Sequence, residues 1–103
     1  MKKIIDGKLY NTATAKEIAE YEPFSNSTDF RWWREILYRT KKGQYFIYGE
    51  GGALSNYSES GGGSSWGSST IYLLSDDEAQ EWLERYDFVE ELEKLFGDKI
   101  IVG

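Results

Sequence analysis

The sequence predicts an α+β domain: an antiparallel sheet built from hairpins, with a short N-terminal helix and a C-terminal acidic helical segment packed on one face. Three observations predict it. Paired β-prone runs flank tight-turn or glycine-containing connections, capping-box patterns stand at Thr14 and Ser75, and the apolar spacing lengthens to 3.6 residues after Ser75.

The elements follow in chain order. Lys2–Ile5 and Lys8–Tyr10 are separated by Asp6-Gly7, a dipeptide that takes the positive φ angles of a tight hairpin turn. Thr14 with Glu17 three residues on forms a capping box, Ala15, Ile18 and Ala19 recur at helical spacing, and Pro23 stops the pattern, so a short helix is expected from about Ala15 to Glu22. Residues 24–29, rich in Ser, Asn and Thr, read as a loop. From Arg31 to Tyr48, two β-prone runs flank Thr40-Lys41-Lys42-Gly43. The second, Tyr45-Phe46-Ile47-Tyr48, is aromatic or β-branched throughout, as suits a central strand buried on both faces.

Residues 49–69 hold seven of the eleven glycines and seven serines, which predicts a flexible loop at about 58–69. Thr70–Leu74 reads as one more strand. Ser75 and Glu78 then form a capping box, and Ala79, Trp82, Leu83 and Tyr86 make an apolar stripe. Asp87 and Glu90 repeat the capping pattern. A second helix is therefore expected after a break near Asp87, with Val89, Leu92 and Phe96 inward and Gly97 as its stop. Ile100-Ile101-Val102 is expected to add a final strand or to pack back on the core.

With 103 residues the chain has room for one domain, 1–103, and its 17% aromatic content supplies a core despite modest overall hydrophobicity. No apolar run is long enough to span a membrane, and the opening Met1-Lys2-Lys3-Ile4-Ile5-Asp6 meets a charge at Asp6 too soon for a signal peptide, so a cytoplasmic location is expected. The chain has neither Cys nor His, which removes disulfides, thiolate chemistry, the commonest general base and the usual zinc ligands. No cofactor, metal site or catalytic residue is expected. Charge is unevenly placed: residues 1–49 carry nine Lys or Arg against six Asp or Glu, whereas residues 50–103 carry three against twelve. The acidic second half disfavours general nucleic-acid binding there, because phosphates are repelled.

At 100° per residue, Asp77, Glu81 and Glu84 lie opposite the apolar stripe, and Glu90 and Glu93 lie away from Val89 and Leu92. Acids four residues apart stand about 6 Å apart along a helix, comparable with successive phosphates on one strand, so the row suits a basic groove that normally holds nucleic acid. The plainer alternative is a solvated helix face, with Glu81 and Glu90 paired to Arg85 and Lys94. Gly49-Glu50-Gly51-Gly52 follows a strand as phosphate loops do, but it lacks their Lys and their glycine spacing; a turn or bulge is expected, with Glu50 free to meet a protein partner. Glu35 and Glu50 form the one conceivable acid–base pair, with nothing to set their separation. Arg31, Arg34, Arg39, Lys41 and Lys42, interleaved with Trp32, Trp33 and Tyr38, suggest either a nucleic-acid-binding hairpin over 31–48 or a core with a charged rim. The Gly-rich loop leaves a small-ligand-binding protein as a further alternative.

The runs Lys3–Thr12, Glu35–Gly43 and Tyr48–Gly52, with Ser55-x-Tyr57 and the Glu-Ala-x-x-Trp-Leu helix after Leu74-Ser75, resemble a small acidic protein family of phages, prophages and conjugative elements of Gram-positive bacteria. Similar proteins of such elements include anti-CRISPR inhibitors of type II RNA-guided nucleases. The resemblance implies a non-enzymatic inhibitor whose partner is a host defence nuclease or its guide complex, and it implies no catalytic residues. The candidate partner-binding residues are Asp77, Glu81, Glu84, Glu90, Glu50 and Tyr57.

Overall fold

The computed structural model describes residues 1–23, 30–53, 55–62 and 64–103. The loop expected at residues 24–29 lies outside them. Strands β1 (Lys2–Ile5) and β2 (Lys8–Asn11) pair as a hairpin whose turn residues Asp6 and Gly7 have φ 51° and 75°, the twist a two-residue turn requires. Strands β3 (Lys16–Tyr21), β4 (Trp33–Arg39), β5 (Tyr45–Gly51) and, after a smaller hairpin of β6 (Glu59–Gly61) and β7 (Ser64–Trp66), β8 (Ser68–Leu74) follow. The main sheet is antiparallel, in the order β3-β4-β5-β8. Helices α1 (Asp76–Arg85) and α2 (Val89–Phe96) close the fold, so the chain is an α+β domain. None of its helices, among the described residues, is long and apolar enough to cross a membrane.

Strand alternation sends the sheet's side chains into two cores. On one face Leu37, Tyr45, Ile47 and Leu74 pack with Ala79, Trp82 and Leu83 of α1 and Leu92 and Phe96 of α2. On the other, Ile36, Tyr38, Phe46 and Ile71 pack with Tyr10 of the β1–β2 hairpin. Central strand β5 is buried on both faces, as its unbroken apolar run predicts: Phe46 and Ile47 are fully inaccessible and Tyr45 nearly so.

The helix expected over Ala15–Glu22 is instead strand β3, paired to β4 with a bulge between Glu17 and Ala19. The bulge lets the neighbours Ile18 and Ala19 both pack toward the helix-side core, which in sequence imitates helical spacing. Thr14 donates its hydroxyl to the Asn11 carbonyl in a turn rather than capping a helix. The ladder to β4 and the burial of Ala19 thus outweigh a short segment's local preference.

At the far end, Ser75 and Glu78 form the expected capping box, with N–H···O distances of 3.1 and 2.9 Å. The second helix departs from expectation at its start. Asp87 sits at φ 59°, turning the corner, and Phe88 occupies the cap position with no side-chain hydrogen bond. The stretch expected as a flexible loop at 58–69 contains the β6–β7 hairpin and the start of β8, because Gly62 supplies the φ of 58° its turn needs. Ile100–Val102 neither forms a strand nor packs back: Ile101 and Val102 are 88% and 97% exposed. Both outer strands of the sheet are modified, β3 by its bulge and β8 by Lys3, whose Nζ donates to Thr70 Oγ1 and the Ile71 carbonyl at 3.1 and 3.2 Å.

Candidate functional site

Asp77, Glu81, Glu84 and Glu90 are all exposed on the outer side of α1 and α2. Their backbone is held by what lies beneath: Trp82 stacks on Phe88 with ring centroids 5.5 Å apart, and Tyr86 stacks on Tyr21 at 3.9 Å, tying the helices to each other and to the sheet. The i,i+4 pairs Glu81–Arg85 and Glu90–Lys94 do not form among the described residues; the Arg85 guanidinium lies 5.8 Å from the Tyr86 ring centre instead. Glu78, by contrast, is occupied by its cap.

Glu50 and Tyr57 are placed differently from these four. Glu50 sits on the hairpin-side face, where it accepts from the Arg34 guanidinium and from the Tyr48 hydroxyl at 2.7 Å. Arg34 also reaches Glu20 at 3.5 Å, while its Nε is buried with no hydrogen-bond partner. Burial pulls the Arg34 pKa down, but Glu50 and Glu20 outweigh it and hold the group above its ordinary value.

Tyr57 lies across the other face. Its hydroxyl donates to Glu35, its carbonyl accepts from Ser68 Oγ, and its ring covers Gly49, where any Cβ would overlap it. Glu35 accepts further from Trp82 Nε1 at 2.8 Å and from the Tyr72 hydroxyl at 3.2 Å. One carboxylate thus joins β4, the loop after β5, β8 and α1. Burial, reinforced by Glu35, raises the Tyr57 pKa far above the usual phenol range, and burial pushes Tyr72 up to about 12.

Glu35 and Glu50 lie on neighbouring strands but on opposite faces, since Glu35 is in register with Gly49 and Arg34 with Glu50. They cannot act on one substrate as acid and base. The basic and aromatic hairpin is likewise divided: Trp33 packs toward Tyr21 and Tyr86, Tyr38 is buried against Phe46 on the other face, and the Arg39 guanidinium lies 5.0 Å from the Tyr45 ring centre. Among the described residues no group of three or more acidic side chains is placed to hold a metal ion.

The Glu35 cluster was missed by sequence reasoning. The available signal was strand alternation, which puts Glu35 on the same face as buried Leu37 and opposite a glycine. Comparison with protein-family models, with curated proteins and with solved structures finds no match.

Proposed function

We propose that the chain is a non-enzymatic binding protein of a phage or mobile element that inhibits a host defence nuclease, of the type II RNA-guided class, through the acidic outer face of α1 and α2. One observation carries the reading: Asp77, Glu81, Glu84 and Glu90 are exposed together, and no cation pairs with any of them among the described residues. Carboxylates held outward on a packed helix pair form a preorganised anionic surface. Such a surface suits a channel built for phosphates, as in nucleases that hold a guide–target duplex in a positively charged groove. The nuclease class comes from the family resemblance of the Glu35–Gly43 and Tyr48–Gly52 runs. Glu50 and Tyr57, both half-buried, serve this reading by holding structure, Glu50 by fixing Arg34 and Tyr57 by clamping the loop.

The test is a cleavage and pull-down assay with guide-loaded type II nucleases from several hosts. The chain in stoichiometric excess is expected to block cleavage and to co-purify with the complex, more weakly as salt rises. The triple variant Asp77→Lys, Glu81→Lys, Glu84→Lys should abolish both while keeping its fold. Undiminished cleavage and no complex with any orthologue would refute the proposal.

A further inference from the structure

Three of the nine basic residues of the first half, Lys8, Lys41 and Lys42, lie where the β1–β2 hairpin meets the β4–β5 turn. Between them lies a cleft of about 690 Å³, within the range of small-molecule sites. Lys8 enters it from β2, and Lys41 and Lys42 from the turn. No Asp or Glu lines it, although acids outnumber bases in the chain by 18 to 12. None of the three ammonium groups has a hydrogen bond or an ion pair among the described residues, and all three side chains are exposed. Leu9 and Ala15 give the cleft an apolar wall, and Asn11 adds an amide.

Three unpaired like charges around one concavity repel one another and focus a positive potential into it, and an anion relieves both effects. Lysine is a point-charge ligand for phosphate. Three of them on two separate elements match a group carrying more than one phosphate better than a single carboxylate. We infer that this cleft binds a small diphosphate-bearing anion, with Lys8, Lys41 and Lys42 on the phosphates and Leu9 and Ala15 against any apolar part. The site shares no residue with the acidic face, so either can fail without the other.

Titration calorimetry of the full chain at low and at physiological salt, with inorganic pyrophosphate, with ADP and with a single-stranded oligonucleotide, tests it. Pyrophosphate and ADP should both bind. ADP binding tighter assigns the apolar wall to a nucleoside, and equal binding assigns the site to the free diphosphate. Lys41→Gln with Lys42→Gln should weaken binding by roughly tenfold or more, as loss of charged hydrogen bonds implies. Lys94→Gln with Lys99→Gln, on the α2 side, should leave it unchanged. Failure of pyrophosphate and ADP to bind at low salt overturns the inference. So does binding indifferent to the cleft lysines, or binding of the oligonucleotide alone.

Discussion

Glu35 and Glu50 stand one strand apart in the same sheet and are held in opposite ways. Glu50 faces the hairpin side and is neutralised by Arg34, a partly exposed pair in which the guanidinium side chain is 32% accessible. Glu35 faces the helix side and takes three hydrogen bonds from neutral donors, Tyr57, Tyr72 and Trp82. The first arrangement is an ordinary rim ion pair, worth little in water. The second is a joint: four segments meet on one carboxylate, and removing it strands several donors at once. The charge type matters less than the number of elements a side chain connects.

The strongest way to break this contrast is Glu35→Ala, which should cost about 3 kcal/mol or more in a urea melt, because the Trp82 indole and the Tyr57 hydroxyl lose their acceptor together. Next is Gly67→Ala. A Cβ there runs into the Gly51 backbone, which cannot swing aside as a side chain would, so a loss of about 2 kcal/mol is expected in the same assay. Arg34→Met should cost only about 1 kcal/mol and should be less damaging in high salt, where the native pair is already screened; Glu35→Ala should be insensitive to salt.

Alkaline pH probes the Glu35 side through Tyr72. Tyr72 titrates near 10 when unfolded and is pushed up to about 12 when folded, so the folded chain holds that proton more tightly. Its contribution is complete below about pH 10 and is lost as pH rises toward 12. A wild-type stability profile that falls over that window, and a shallower fall in Tyr72→Phe, is the expected outcome of melts taken at stepped pH. The smallest effect belongs to the outer acids. Glu81→Lys and Glu84→Lys should each move the melting free energy by no more than about 0.5 kcal/mol, since each is exposed and unpaired, and Asp77→Lys by about 1 kcal/mol, since it reverses a charge in the first turn of α1.

What could be read in advance follows from how locally each feature is determined. The Asp6-Gly7 turn, the doubly buried Tyr45–Ile47 run and the Ser75–Glu78 cap each rest on a few adjacent residues, and all three are present. The outward acids of α1 were legible for the same reason, because the Ala79, Trp82, Leu83 stripe fixes which side faces the core. Strand β3 was not, since its fate depends on β4 and on a bulge that places adjacent apolar residues on one side. Nor was the Glu35 joint, which unites residues 22, 37 and 47 positions away in the chain. Asp87 misled for a subtler reason: its residue type suits both a helix cap and the left-handed corner it occupies, and only the geometry between α1 and α2 selects the latter.

The two outer strands bear on which contacts the sheet can make. An open sheet edge invites another chain to continue the ladder, and proteins that must avoid this blunt it with kinks or charges. Here β3 carries a kink beside Lys16, Glu17 and Glu20, and β8 carries the Lys3 ammonium on one of its own carbonyls. Recognition by strand addition is thereby disfavoured at both margins of the sheet. The same devices guard a chain with so much β-prone sequence against self-templating as it folds.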